Sequence, residues 1–291
     1  MIDLHSHTNK SDGTLTPSQI VDLAAEKGIT ILAITDHDTI EGIQEAIDRA
    51  HAINTDPSLT AKAPRIIPGI EFSTEWNGRD VHVVGLDIDH HNEAFVSKLD
   101  AFLDSREGRN RKMADKLKEV GIGISYEGLN KMFPNCVLTR AHFAKYLYEY
   151  GYVKSTHEAF ERYLGPDAPC YVPREKITPI QAVEMTLEAG GIPVLAHPMI
   201  YKFGDEKLRE LIAMMKEAGL VGIEAMYSTH SEEDEKYVRN LAKDTGLLIS
   251  GGSDFHGTNK PGIELGTGCG DMNIPDEVWL ELEKVKSGRF S

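Results

Sequence analysis

Cysteine is scarce: Cys136, Cys170 and Cys269 are the whole complement of 291 residues, and no two of them stand in a CxxC spacing. An odd count without that spacing argues against a disulfide framework and against a thiolate zinc site, so they read as small, semi-buried residues. Long apolar runs are missing as well. None approaches the roughly 20 residues that cross a bilayer, and Met1 leads straight into a strand-like segment that leaves no room for a cleaved signal. A cytoplasmic protein without membrane contact is expected. Positive charge is in deficit, with 31 Lys and Arg against 46 Asp and Glu and a formal net charge of −15. That balance speaks against a grip on long duplex nucleic acid, which needs a basic face. Short phosphorylated ligands stay open, because bound divalent cations invert the field of an acidic cleft.

What the chain does have is histidine in company. Seven of its twelve histidines stand with acids in short apolar stretches, from Asp3-Leu4-His5-Ser6-His7 to Ser253-Asp254-Phe255-His256. Side chains two apart on an extended segment point the same way, so His5 and His7 share a face and one ion can take both rings. The pattern predicts a multinuclear metal site. His51, His90, His91 and His157 lie in polar, helical or loop contexts and read as surface residues.

Strand and helix signals alternate, which predicts an α/β fold. At 291 residues the chain fits one (β/α) barrel of about 250 residues plus an insertion. Thr16-Pro17-Ser18-Gln19 reads as a capped helix start with proline at its first position, and Gly28 as the stop. Strands are expected at residues 2–5, 29–34, 65–73, 80–87, 192–196, 221–225 and 247–250. Six of the seven carry a His or a carboxylate at or just past the C-terminal end, where barrel enzymes do their chemistry. Trp76-Asn77-Gly78-Arg79 is a hairpin signal. A two-residue turn there sets Ser73 opposite His82 and Glu71 opposite Val84. Glu71 and His82 then become diagonal neighbours on one face, about 7 to 8 Å apart at the backbone. A one-residue slip would send His82 to the other face. From about Glu93 to Gly165 strand runs give way to helical spacing, as in Phe102, Arg109, Met113, Leu117 and Phe143, Leu147. This segment, 93–165, is expected to be a helical insertion (cap) domain, with residues 1–92 and 166–291 forming the barrel.

Each element has a bland alternative. A lone His-x-His is weak evidence, and Asp12 in Ser11-Asp12-Gly13 is by itself a turn residue. Glu71 inside an apolar strand tells more, because a buried carboxylate without a cation is costly. The conjunction decides for ligation, since structural histidines would not fall repeatedly at the same end of successive strands.

These residues resemble the polymerase and histidinol phosphatase (PHP) superfamily. The match runs through DLHSHT from Asp3, SDG from Ser11, LAITDHDT from Leu32, IPGIE from Ile67, HVVGLDID from His82, LTRAHFAKYL from Leu138, YVP from Tyr171, AHP from Ala196 and GGSDFHG from Gly251. Within it the chain is most similar to stand-alone bacterial phosphoesterases with a helical insertion, a group that includes 5′-3′ exoribonucleases acting also as nucleoside 3′,5′-bisphosphate phosphatases. The resemblance implies a distorted (β/α)7 barrel of the PHP type, with the helical insertion domain over its C-terminal face, and a trinuclear centre. By the family pattern His5, His7, Glu71 and Asp254 hold one ion, Glu71 bridges to a second with His82 and His197, and Asp12, His37 and His256 hold a third.

The implied chemistry is phosphate ester hydrolysis, in which a hydroxide shared by two cations attacks phosphorus in line. Imidazole and carboxylate donors suit Mn, and also Fe, Zn or Mg. Asp254 and His230 are the candidate catalytic residues, His230 as a general acid or as a phosphate donor. Arg140 matches the family signature and is a candidate clamp for a second, non-reacting phosphate, against the alternative of an ordinary arginine at a helix start. The cluster Arg106, Arg109, Arg111 and Lys112, interleaved with Asp104, Glu107 and Asp115, reads as a solvated face rather than an oligonucleotide track. The expected substrates are nucleoside 3′,5′-bisphosphates and short 5′-phosphorylated, single-stranded RNA. Alternatives are a cyclic-phosphate dihydrolase acting on phosphoribose 1,2-cyclic phosphate and a histidinol phosphate phosphatase. From other classes come an amidohydrolase-like C–N hydrolase and a non-catalytic metal-binding module.

Overall fold

The computed structural model describes residues 1–58, 62–134, 136–172 and 177–289; the side chains of 103–106, 287 and 289 fall outside the description. Pro173 of the YVP motif and the Asp104 and Arg106 side chains therefore lie outside the described residues. In chain order the elements are β1 (Ile2–Asp3), α1 (Pro17–Glu26), β2 (Ile31–Ile34), α2 (Ile43–Thr55), β3 (Arg65–Trp76) and β4 (Arg79–Leu86). Then come α3 (Glu93–Glu119), α4 (Tyr126–Met132), α5 (Arg140–Glu149), α6 (Thr156–Ala159), α7 (Pro179–Glu188) and β5 (Ile192–Leu195). The chain ends with α8 (Asp205–Glu217), β6 (Gly222–Tyr227), α9 (Glu232–Thr245), β7 (Leu248–Gly252) and α10 (Asp276–Arg289). Backbone contacts group these into two compact units, Met1–Val96 with Ile177–Ser291, and Ser97–Lys176.

The first unit is a seven-stranded sheet in sequence order. Past the ends of β7 and β1 a parallel bridge joins Ser6 to Phe255, and backbone N–H groups of Asp254 and His7 donate to His5 and Phe255 at 2.8 and 2.9 Å. The sheet thus curls into a nearly closed barrel. Neighbours are parallel except β4, which runs antiparallel to both β3 and β5. That reversal explains why His82 lies within its strand rather than past the C-terminal end. The first half of β4 sits at the rim where its neighbours finish.

Local chemistry sets the elements. Thr16 caps α1 in a reciprocal box with Gln19, Pro17 opens the helix, and Gly28 at φ 68° turns the chain out of it. Thr178, Pro179 and Gln181 repeat the device at α7. Asn77 and Gly78 both take positive φ, 50° and 73°, the signature of a type I′ turn whose twist suits a hairpin. The ladder follows from it: Trp76 faces Arg79, Ser73 faces His82 and Glu71 faces Val84, the register expected from sequence. Ile2, Leu4, Ala33, Ile67, Val84, Val194 and Trp279 pack into one buried cluster, each large member contributing about 1.5–3 kcal/mol by leaving water.

The second unit is helical. Met113, Leu117, Phe143, Leu147 and Leu164 bury a core of their own, and Thr139 caps α5 with His142 completing the box. Arg140 is the first residue of that helix, its guanidinium 5.7 Å from the Tyr171 ring centroid. Cys170 is buried and Cys136 half-buried, but Cys269 is exposed, a departure from the semi-buried reading. No described helix is long and apolar enough to cross a membrane.

Candidate metal centre

Glu71, 0% exposed, is the hub of the barrel's C-terminal rim. One oxygen, Oε1, lies 2.9 Å from His82 Nδ1 and 3.0 Å from His197 Nε2. The other, Oε2, lies 3.0 Å from His37 Nδ1, 3.2 Å from His7 Nε2 and 3.3 Å from His5 Nε2. Strands and strand ends far apart in the chain deliver these rings. The hairpin supplies Glu71 and His82 together, and a parallel bridge ties His37 to Glu71.

Two further carboxylates complete the cluster. Asp254 Oδ1 is 3.2 Å from His7 Nε2, 3.3 Å from His256 Nδ1 and 3.8 Å from His5 Nε2. Asp12 Oδ1 is 3.1 Å from His256 Nε2, and its Oδ2 is 4.0 Å from His37 Nε2. All nine residues named from sequence as ligands are thus brought together. Among the described residues, donor atoms that can converge on one ion fall into three sets, His7-Asp12-His37-His256, His5-His7-Glu71 and His37-Glu71-His82, and His197 belongs to none of them. His7 and His37 each serve two sets, which the family pattern does not anticipate.

The backbone beneath is strained where it must aim side chains. Asp38, His197 and Asp254 hold φ of 54°, 22° and 54°, left-handed values that cost non-glycine residues on the order of 1–3 kcal/mol each. Buried supports hold the loops. Asp36 accepts from Thr8 N, Thr8 Oγ1 and Ser11 Oγ at 2.7, 2.6 and 2.6 Å. Asp3 accepts from Ser253 N at 2.9 Å and Gly266 N at 2.8 Å. Burial raises the Asp3 carboxyl, with those bonds working against it.

The electrostatics are those of a coupled cage. Burial opposes the imidazolium of His5, yet Glu71, Glu224 and Asp254 outweigh it and hold its pKa well above the ordinary value. His7 is raised to about 9 in the same way, burial being overcome by Asp254 and Glu71. Burial also opposes ionisation of Glu71, Asp12 and Asp254. The surrounding imidazoles, joined at Asp254 by Lys260, nevertheless keep all three well below the usual carboxylate range. For His37 and His197 burial prevails and the neutral ring is favoured.

A test of whether these residues suit cations comes from their orphaned atoms. His5 Nε2, His7 Nε2, Asp12 Oδ1, His37 Nδ1 and Glu71 Oε2 are buried and make no aligned hydrogen bond, although several sit at ion-pair distance. An unsatisfied buried polar atom costs about 1–3 kcal/mol. Such atoms converging at one rim fit a partner that takes lone pairs, and the donors, all imidazole or carboxylate, match borderline and hard divalent ions.

The other candidates are placed differently. His230 is half-buried, its Nδ1 at 2.9 Å from Ala225 O and its ring 5.1 Å from that of Tyr227; it belongs to none of the three sets. Arg140 lies in the helical unit. Sequence reasoning missed Glu224, 2% exposed, with Oε1 3.1 Å from His5 Nδ1 and Oε2 accepting from His197 N at 2.8 Å. The signal was present: an acid in an apolar strand, the argument already applied to Glu71. Tyr227 and Lys260, which both donate to Asp254 Oδ2 at 2.7 and 2.5 Å, left no comparable trace.

A family model described as the PHP domain matches residues 3–166. A 5′-3′ exoribonuclease of Haemophilus influenzae is 36% identical over 254 residues, 87% of this chain and 89% of the relative. A 3′,5′-nucleoside bisphosphate phosphatase of Chromobacterium violaceum is 36% identical over 286 residues, 97% of this chain and 96% of the relative. A phosphoribosyl 1,2-cyclic phosphate 1,2-diphosphodiesterase of Eggerthella lenta is 29% identical, over 88% of this chain and 94% of the relative. Among solved structures, one named as an amidohydrolase from Chromobacterium violaceum superposes with TM-score 0.84 at 34% identity, covering 97% of this chain and 96% of its own.

Proposed function

We propose, from the premise that the chain belongs to the PHP domain family and is a metal-dependent phosphoesterase, that it hydrolyses small ribose phosphates, in particular nucleoside 3′,5′-bisphosphates and short 5′-phosphorylated RNA. The observation that carries the reading is the meeting of five imidazoles on the two oxygens of one fully buried carboxylate, Glu71. A hydrolase without bound cations has no use for so costly a cluster.

In this reading His5, His7, Glu71 and Asp254, then Glu71, His82 and His197, and then Asp12, His37 and His256 would hold three divalent ions, Mn among the best suited. Bound there, they supply Lewis acidity toward phosphate oxygens and a water that is nucleophilic at neutral pH. The chain's own groups do the rest. Tyr227 and Lys260 occupy Asp254 Oδ2, which turns Oδ1 toward His7 and His256. The Nδ1–H of His230 donates to Ala225 O. With Nδ1–H so committed, the imidazolium form carries its second proton on Nε2, where it would be given to the leaving alkoxide or shared with a phosphate oxygen. Arg140, which matches the family signature, is the candidate to bind the non-reacting phosphate of a bisphosphate.

Preference for bisphosphates and RNA is supported by the two relatives that are 36% identical over most of both chains. The cyclic phosphodiesterase is the second reading, favoured by a more distant relative. Phosphate release from adenosine 3′,5′-bisphosphate, a 5′-phosphorylated oligoribonucleotide and phosphoribose 1,2-cyclic phosphate separates them. The first two are expected to be turned over fastest; a higher rate on the cyclic substrate would overturn the assignment.

A further inference from the structure

Glu224 is a carboxylate in the middle of an otherwise apolar strand, and nothing in the proposed ligand sets uses it. Its aim comes from an irregularity in the sheet. The β6–β7 ladder pairs Glu224 with Ser250 but Met226 with Gly251, so the register slips across Ala225. In an unbroken strand Glu224 and Tyr227 would face opposite sides. The extra residue re-aims the chain, as bulges beside active sites do, and both side chains reach the cluster: Tyr227 at Asp254, Glu224 at His5 and His197.

We propose that Glu224 is a positioning residue that fixes the tautomer of His5 and the backbone of His197, so that both imidazoles present Nε2 to Glu71. Glu224 Oε1 takes the Nδ1–H of His5, so that in the neutral ring a cation requires, the lone pair is on Nε2, on the side of Glu71 and Asp254. Glu224 Oε2 takes the backbone N–H of His197, the residue held at φ 22°. One carboxylate thereby secures a strained turn and a ring orientation at two places on the rim. A carboxylate behind a ligating histidine typically matters 10- to 100-fold in metal affinity.

An amide in place of this carboxylate cannot do both jobs. With the amide oxygen toward the His197 N–H, the NH2 would face His5 Nδ1 and select the opposite tautomer, with a proton on the atom that must coordinate. Turned the other way, the NH2 would oppose the His197 N–H. Glu224→Gln keeps the volume and removes the function.

The inference rests on His5 and His197 being ligands, as proposed above. The test is calorimetric titration of Zn2+, which is diamagnetic, into the full chain stripped with chelator. It is run on wild type and Glu224→Gln, with 15N imidazole spectra of the loaded wild type. The expected result is a roughly 10- to 100-fold weaker binding in the variant, and a His5 ring that keeps its proton on Nδ1 in the wild type. Wild-type affinity in Glu224→Gln overturns the role of Glu224. If the variant does not fold, the wild-type spectrum decides, and a His5 protonated on Nε2 overturns it. Wild-type protein that binds no Zn2+ removes the parent reading instead.

Discussion

Glu71→Gln is the perturbation that reaches furthest into the centre. The substitution leaves volume and backbone unchanged and replaces one of two oxygens by an amide. Whichever oxygen is lost, an NH2 then points at either the His82 and His197 nitrogens or those of His5, His7 and His37, all within 3.3 Å of Glu71. Breaking one member out of a buried ionic set costs about 3–5 kcal/mol. Expressed as binding, that is a loss of roughly 10²- to 10⁴-fold in cation affinity. Thermal unfolding reads the same quantity. An ion at one hundred times its Kd stabilises by about 2.7 kcal/mol, which raises the Tm of a unit of this size by about 5–11 °C. At that ion concentration Glu71→Gln is expected to show almost none of the rise and to release phosphate at least 10²-fold more slowly. A variant that keeps both the metal-induced Tm shift and the turnover of the wild type refutes the reasoning.

Three other outcomes follow. Gly252→Ala introduces a Cβ into His5, 2.6 Å from its backbone nitrogen and 2.8 Å from its Cα. Because backbone cannot yield, a loss of about 1–3 kcal/mol in urea unfolding is expected, with lower metal content; unchanged stability would contradict the packing. In excess EDTA, His7 contributes stability that is fully present below its unfolded pKa of about 6.5 and is lost as pH rises through about 9. His5, also raised, acts with the same sign. The unfolding midpoint should therefore fall between those values, and a flat or rising profile would exclude a protonated cage. Arg140→Ala is expected to slow turnover of a nucleoside bisphosphate far more than that of an aryl phosphate, whereas equal losses would dismiss the clamp.

Much of the site is legible in the residues themselves, for reasons that differ from one to the next. Asn77-Gly78 dictates a turn type, the turn dictates register, and register places Glu71 beside His82; each step is local. His5 and His7 follow from the parity of an extended segment, although the strand itself ends at Asp3, short of the expected residues 2–5. The assembly of distant segments required the resemblance to a family, since no spacing in the sequence joins Asp12 to His256. Glu224 is visible as an acid in an apolar strand, but its direction is not, because the bulge across Ala225 breaks the parity from which it would be read. Lys260 was hidden because a lysine in a polar loop carries no sign that it will fold onto Asp254. The reversal of β4 was implicit in the hairpin, and its consequence, a ligand within a strand instead of beyond it, follows from that antiparallel pairing.

The central claim is that these imidazoles and carboxylates cage several cations that drive phosphate ester hydrolysis. Its most direct test is phosphate release from adenosine 3′,5′-bisphosphate by chelator-stripped protein, measured against metal content as Mn2+ is restored. Activity is predicted to be absent without metal and to saturate at about three ions per chain. Full activity with less than one ion bound would contradict it.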